Sequence, residues 1–241
     1  MKLLLSEILT SDRVLCRRNH HELRRPIDHC LATGELVSVL PGVYTAPDPD
    51  LETLALAAAR YQPDCVVVGA AAARLLWWPD CRVDQIDVAV KSPRPSWRRF
   101  RVHQRAIPPD LIVERERVRI ASPALSVLDL LPTLGGQVID EALRLRKVTL
   151  PLLWQALDLT SGRRGNLLRR DLLTDSRDLP WSEAERAAHR ALRAAGITGW
   201  TTNYRIKVFG RTYFADIAFP QSKVIVEIDG MRAGARASAR G

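Results

Sequence analysis

Three carboxylates inside two apolar segments constrain the fold of this chain more than any other feature of its sequence. Asp216 lies in the strand-like segment 213–220, and Glu227 and Asp229 lie in the strand-like segment 223–230. Side chains alternate between faces along a strand, so Glu227 and Asp229 share one face. A Pro-Gln-Ser turn joins the two segments and predicts a hairpin that brings Asp216 opposite Glu227 or the residue before it.

Like charges on a half-buried sheet need compensation by a cation or by protonation. Mg²⁺ is the usual cation for a site made only of oxygen ligands. The pattern therefore predicts a magnesium site with Asp216, Glu227 and Asp229 as ligands, which is the outline of metal-dependent phosphodiester chemistry. The alternative is that the three acids face solvent on an ordinary edge strand.

The C-terminal segment as a whole carries a family resemblance. Residues 182–196 predict a helix, and three strands are predicted between residues 204 and 230. This order and its acidic residues resemble the domain of very-short-patch-repair endonucleases, in the PD-(D/E)XK nuclease superfamily. The resemblance implies magnesium-dependent DNA cleavage, with Asp216 and Glu227 as metal ligands, Asp229 as a further ligand or a base for water, and Glu185 as a supporting acid.

The resemblance stops near Gly230. Residues 231–241 are mainly Arg, Ala, Gly and Ser, without an apolar period. This composition is typical of a GC-rich gene read out of frame, so we expect a frameshift or truncation near Met231 and an inactive, partial endonuclease-like domain. The alternative is a short disordered basic tail.

Residues 1–48 predict a small winged helix-turn-helix. The apolar spacing predicts helices over residues 3–9 and 20–33, with Gly34 ending the second helix. A hairpin over residues 36–45 would form the wing.

This N-terminal segment resembles the winged helix of AbiEi-type antitoxins, and the resemblance implies operator DNA as a ligand and a cognate toxin or other protein as a possible partner. Arg24 and Arg25 lie on the polar side of the second predicted helix, where a recognition helix needs them. Residues 1–48 hold six basic and six acidic residues. A solvated helix face and a protein-docking module therefore stay open as alternatives.

Residues 49–175 continue the same resemblance as an α/β middle domain. We predict a strand followed by a helix from residue 66, an alternating strand over residues 85–90, and a helix that Ser122 caps. Neither a phosphate-binding P-loop nor a dinucleotide-binding glycine pattern is present, which argues against nucleotide binding.

The net charge of +9 is concentrated in two stretches. Residues 91–119 hold nine bases and three acids, and residues 144–170 hold seven bases and one acid. The first stretch interleaves aromatic and basic residues, as surfaces that follow a phosphate backbone often do. We predict DNA contacts from Arg98, Arg99 and Arg101, with a solvated basic loop as the alternative.

No apolar run reaches the ~20 residues that cross a bilayer, so no membrane partner is expected. The four cysteines form no C-x-x-C pair, which favours reduced thiols and a cytoplasmic location. A group of cysteines and histidines between residues 16 and 30 fits no standard zinc spacing.

Together these observations predict a mixed α/β protein in three parts, namely a winged helix-turn-helix (1–48), an α/β middle domain (49–175) and a partial restriction-endonuclease-like domain (176–230), followed by the tail 231–241. The leading function is DNA binding combined with magnesium-dependent endonuclease chemistry. The alternative is a non-enzymatic antitoxin or transcriptional regulator in which the nuclease fold is vestigial.

Overall fold

The computed structural model describes residues 2–92, 95–176, 183–208 and 211–228. These residues form a mixed α/β protein with three sheets, which confirms the predicted fold class. The chain divides into a first compact unit, Met1–Leu130 with Pro151–Arg163, and a second compact unit, Leu131–Leu150 with Arg164–Gly241. The domain boundaries after residues 48, 175 and 230 stay predictions, and the tail 231–241 lies outside the described residues.

The first unit begins with a small helical and β module. Its elements are helix α1 (Lys2–Asp12), strand β1 (Val14–Cys16), two short 3-10 turns (Arg17–Asn19 and His21–Leu23), helix α2 (Arg24–Ala32), and strands β2 (Val37–Leu40) and β3 (Val43–Thr45). The three strands form an antiparallel sheet in the order β1-β3-β2. Apolar side chains from α1, α2 and the sheet, including Leu5, Leu15 and Ile27, form the buried core of this module.

Helix α2 begins at Arg24, four residues after the start predicted from its apolar spacing. Proline is the reason, because Pro26 has no amide hydrogen and its ring collides with the carbonyl four residues earlier inside a helix. Pro26 is therefore compatible only with the first turn of α2. The predicted end is confirmed, since Gly34 follows the helix with a left-handed φ of 75°.

The remainder of the chain up to residue 159 contains helix α3 (Leu51–Tyr61), β4 (Val66–Val68), α4 (Gly69–Leu76), β5 (Ile86–Val90), β6 (Phe100–Gln104), β7 (Ile112–Arg115), β8 (Val118–Ala121), α5 (Pro123–Leu134), α6 (Gln137–Arg144) and α7 (Leu150–Leu159). The five strands form one sheet in the order β6-β5-β4-β8-β7. The pairs β4/β8 and β5/β6 are parallel, whereas β4/β5 and β7/β8 are antiparallel. Helix α3, which sequence reasoning did not predict, packs against β1 and β3 and also contacts the five-stranded sheet.

The second unit contains α6, α8 (Asn166–Asp175), α9 (Glu183–Ala194) and an antiparallel sheet of β9 (Thr201–Val208), β10 (Arg211–Phe219) and β11 (Val224–Val226), in the order β11-β10-β9. Strand β11 is shorter than the predicted segment 223–230. Lys223 has a left-handed φ of 54° and belongs to the turn, and Glu227 follows the last residue of the strand. Within the described part of the chain, no helix is long and apolar enough to span a membrane.

Candidate nucleic-acid interface and carboxylate site

The first turn of α2 presents two adjacent arginines to solvent. Arg24 and Arg25 are the first and second residues of the helix, and both are exposed. They lie there because Pro26 fixes the start of the helix. The backbone N–H groups of a helix N-terminus carry partial positive charge, so this end of α2 favours an anion.

The other arginines of this module have partners. Arg13 forms ion pairs with Glu52 and Glu116, at 3.3 and 2.7 Å. Arg17 pairs with Asp28 and donates to the Tyr44 hydroxyl at 2.9 Å, and Arg18 donates to a backbone carbonyl. Among the arginines that the structure describes between residues 2 and 48, Arg24 and Arg25 are the two whose side chains have neither an ion pair nor a hydrogen bond with described residues.

A second group of predicted DNA contacts lies at the start of β6. Trp97 and Phe100 form a β-bridge, which places Arg98 and Arg99 at the tip of a tight turn. Both side chains are exposed and form no ion pair with described residues. Arg101 is also exposed, but its guanidinium lies 3.6 Å from the carboxylate of Asp87.

Asp87 also contacts a histidine on β6. The parallel register of β5 and β6 puts Asp87 beside Arg101, and the Asp87 carboxylate lies 2.6 Å from Nε2 of His103. Arg101 and His103 therefore both contact the Asp87 carboxylate. The charge available to a phosphate is larger at Arg98 and Arg99 than at Arg101.

A buried ion cluster near the start of α4 holds much of the remaining charge of this region. Asp129 accepts two hydrogen bonds from Arg105, at 3.0 and 2.6 Å, lies 2.8 Å from Arg163, and accepts the backbone N–H of Gly69 at 3.3 Å. Burial alone would raise the pKa of Asp129, but the bonds and charges of Arg105 and Arg163 outweigh burial and lower it below its ordinary value. We call Asp129, Arg105 and Arg163 the Asp129 cluster.

Two of the predicted carboxylates of the second unit lie near the end of the β10–β11 pairing. Strands β10 and β11 pair Ile217 with Val226, and extending this register puts Asp216 opposite Glu227. Directly opposed residues share one face of a sheet, so the two carboxylates would share a face if the pairing continued by one residue past Val226. Asp216 also accepts the backbone N–H of Ile228 at 2.8 Å, which holds the chain beyond β11 against β10.

The other two predicted acids are placed differently. Glu185 lies in the first turn of α9, where it is buried. Asp229 lies outside the described residues. The structure therefore places Asp216 on β10, Glu227 directly after β11 and Glu185 on a separate helix.

The described carboxylates fit one mode of magnesium binding. Within the described ranges, no group of three or more His, Cys, Asp or Glu side chains could hold a metal ion by itself. Proteins commonly bind Mg²⁺ through one or two carboxylates together with phosphate oxygens of the substrate. Asp216 and Glu227 supply two carboxylates, one half-buried and one exposed, which suits a metal ion shared with a phosphate.

Sequence reasoning missed a buried ion cluster beside Glu185. Arg186 is completely buried, pairs with Asp140 on α6, and donates to Ser176 Oγ at 2.6 Å and to the carbonyl of Gly136 at 3.2 Å. A Cβ atom at Gly136 would lie 2.7 Å from Nε of Arg186, so the guanidinium fits there only against glycine. We call Arg186, Asp140, Ser176 and Gly136 the Arg186 cluster, which joins α6, α9 and the end of α8.

Comparison with known proteins does not identify a relative. No protein-family model matches the chain, and no curated protein matches it significantly. A function must therefore be argued from the arrangement of its residues.

Proposed function

We propose that this chain is a DNA-binding protein whose residues 2–45 form a winged helix with α2 as the recognition helix. The order of elements supports this assignment. A helix, a short strand, two helical turns, α2 and a hairpin follow one another, and the strand order β1-β3-β2 lets the hairpin serve as the wing. The resemblance to AbiEi-type antitoxins implies the same assignment.

The observation that carries the proposal is that the two arginines at the start of α2 are exposed and have no ionic partner among the described residues. Recognition helices contact base edges mainly through their N-terminal residues. Arginine at such a position can donate two hydrogen bonds to guanine in the major groove. Arg24 and Arg25 are exposed, adjacent and unpaired among the described residues, whereas Arg13 and Arg17 in the same module are engaged by carboxylates.

The β6 surface would supply phosphate contacts of lower specificity. Arg98 and Arg99 are exposed at the tip of a turn and have no described counter-charge. Each phosphate that such a residue neutralises releases counterions from DNA, which makes affinity depend on salt. We assign base recognition to Arg24 and Arg25. We assign contacts with the phosphate backbone of DNA to Arg98, Arg99 and, more weakly, Arg101.

Arg24→Ala combined with Arg25→Ala is expected to reduce sequence preference by about tenfold or more, because one lost bidentate base contact costs about 1–3 kcal/mol of discrimination. The native protein is first used to select preferred duplexes from a random pool. Fluorescence anisotropy then measures the ratio of its affinities for a selected and a scrambled duplex, and the same ratio for the variant.

Two further variants give this experiment its controls. Arg74→Ala with Arg82→Ala removes the same charge from two other exposed positions and should preserve the ratio. Arg98→Ala with Arg99→Ala should weaken both duplexes alike and reduce the slope of log affinity against log salt by about two. Equal loss of affinity for both duplexes in the Arg24/Arg25 variant would mean that α2 contacts only the DNA backbone.

A second candidate function is magnesium-dependent phosphodiester hydrolysis by the second unit. The register of β10 and β11 supports it, because continuing the pairing of Ile217 with Val226 by one residue would put Asp216 opposite Glu227. Mg²⁺ held by two carboxylates would neutralise the scissile phosphate and activate water. Asp216 and Glu227 would hold the ion, and the resemblance to repair endonucleases assigns Asp229 as a further ligand or base and Glu185 as a supporting acid.

Mg²⁺ is expected to raise the melting temperature of the second unit in the presence of a short duplex, because a ligand that binds only the folded state stabilises it. At a free concentration ten times the dissociation constant, the stabilisation is about 1.4 kcal/mol. Asp216→Asn should abolish this metal response, whereas Asp171→Asn, which neutralises an exposed acid on α8, should keep it. Thermal unfolding in EDTA and in Mg²⁺ measures the metal response of each variant and of the native protein.

The outcome separates the enzyme from the regulator. An equal metal response in native protein and Asp216→Asn would remove the carboxylate site from the proposal. DNA binding without any metal response would favour an antitoxin or transcriptional regulator, for which a cognate toxin is the expected partner.

A further inference from the structure

Asp28 is an acidic residue on the exposed side of α2, the proposed recognition helix. It follows Arg24 by four residues and Arg25 by three, and side chains at these spacings lie on the same side of a helix. Ile27 and Cys30 lie on the opposite side and belong to the buried core of the module. The side chain of Asp28 is 58% exposed, so it faces the same ligand as the two arginines.

Arg17 holds the Asp28 carboxylate from a 3-10 turn that precedes α2. Its guanidinium pairs with Oδ1 of Asp28 and donates through Nε to the Tyr44 hydroxyl at 2.9 Å. The guanidinium carbon also lies 5.5 Å from the centre of the Tyr44 ring. The backbone N–H of Arg17 donates to the carbonyl of Gly42, in the turn between β2 and β3, at 2.9 Å. Arg17 therefore fixes the position of Asp28 relative to the β2–β3 hairpin.

This ion pair keeps the two arginines of α2 available. Opposite charges three or four residues apart on a helix attract each other, so an unheld Asp28 would compete for Arg24 and Arg25. In the structure its carboxylate pairs with Arg17 instead. The positive charge of Arg17 also offsets the repulsion between this carboxylate and the phosphates of DNA.

One oxygen of the Asp28 carboxylate remains available for a ligand. Oδ1 contacts Arg17, whereas Oδ2 makes no hydrogen bond or ion pair with the part of the chain that the structure describes. A carboxylate oxygen can only accept a hydrogen bond. In the major groove cytosine presents a donor amine, guanine presents two acceptors, and adenine presents an acceptor beside its amine. Cytosine is therefore the base that suits this oxygen best.

We propose that Asp28 is a specificity-determining residue that accepts a hydrogen bond from cytosine, and that Arg17 is the positioning residue that holds it. The inference rests on the proposed function, because it requires α2 to enter the major groove. Four residues of helix separate Asp28 from Arg24, or about 6 Å, which corresponds to about two base pairs. The preferred duplex therefore contains a cytosine within about two base pairs of the guanine that Arg24 contacts.

Asp28→Asn tests the base assignment. The native protein and the variant each select duplexes from a random pool in EDTA, and fluorescence anisotropy compares duplexes that differ only at the selected cytosine. The native protein should prefer cytosine there by about tenfold. Asparagine pairs best with adenine, so the variant should prefer adenine at this position and keep the guanines that Arg24 and Arg25 contact. Glu7→Gln, which neutralises an exposed acid on α1, should retain the preference for cytosine.

Arg17→Gln tests the positioning role. The preference for cytosine should weaken by about twofold or more, because the released carboxylate is attracted to the arginines of α2. In the Asp28→Asn background the same change should not alter base preference further, an outcome that a purely structural role of Arg17 does not predict. Arg17→Lys keeps a cation beside Asp28 and should retain most of the preference. Circular dichroism verifies that each variant is folded.

The outcomes distinguish this inference from the proposed function. Suppose that the Arg24/Arg25 variant loses sequence preference and Asp28→Asn keeps the native preference at every position. The role of Asp28 would then be wrong, and α2 would still be the recognition helix. Tighter binding of Asp28→Asn to all duplexes alike would mean that Asp28 only repels phosphates, and would also overturn the inference. A native protein that enriches no sequence would overturn both.

Discussion

Asp140→Ala is expected to lower the free energy of unfolding of the second unit by about 3–5 kcal/mol, because it removes a carboxylate that pairs with a buried arginine. Arg186 is completely buried, and Asp140 is its ionic partner in the Arg186 cluster. Its bonds to Ser176 and to the carbonyl of Gly136 are to uncharged groups, which cannot replace a carboxylate. Loss of this partner should loosen α6, α8 and α9 together.

Hydrogen exchange of peptides from these three helices measures the effect locally, which suits a chain with two compact units. The neighbouring residue supplies a matched control. Glu141, also on α6, pairs with the exposed Arg144, and exposed ion pairs contribute little to stability, so Glu141→Ala should leave exchange nearly unchanged. Equal effects of the two alanine variants would contradict a structural role for the Arg186 cluster.

Asp129→Asn is expected to destabilise the first unit by about 2–4 kcal/mol at neutral pH, because Arg105 and Arg163 then lack their shared carboxylate. The cost is smaller than for a fully buried arginine, since about a fifth of each arginine side chain remains exposed. Hydrogen exchange of peptides from α4, β6 and α5 reports this change. Asp84→Asn, which changes an exposed acid paired with the exposed Arg82, should have little effect.

The Asp129 cluster also predicts an acid dependence. The pKa of Asp129 is lower in the folded chain than in an unfolded chain. The unfolded state therefore binds the proton first as the pH falls, and the stability that Asp129 contributes is lost below the ordinary aspartate pKa of about 3.9. Native protein should lose stability in that acidic range more steeply than Asp129→Asn. Parallel stability curves for the two proteins would contradict this assignment.

Much of the local structure could be predicted from the sequence. The hairpin between β10 and β11 was predicted from the Pro-Gln-Ser turn and two apolar runs, and its register agrees with the predicted one. The end of α2 at Gly34 and the cap of α5 at Ser122, which accepts the backbone N–H of Leu125, were also predicted. These features depend on residues close together in sequence, where turn and cap preferences are strong.

The start of α2 depends on a proline as well as on the spacing of apolar residues. Apolar spacing suggested a helix from residue 20, but the covalent geometry of Pro26 excludes a helix that begins so early. The information was present in the sequence. The position of this start matters for the proposed function, because it makes Arg24 and Arg25 the first residues of the helix.

By itself, the sequence determined the mixed α/β class, the turns and caps, and the hairpin of β10 and β11, because each follows from local geometry or from the alternation of a strand. Only the tertiary structure decided which charges are buried and which are available. Asp129 meets Arg105 and Arg163, and Asp140 meets Arg186, across long sequence separations that no local pattern encodes. Burial removes those ions from water and fixes their partners, and the same packing leaves Arg24 and Arg25 exposed to solvent.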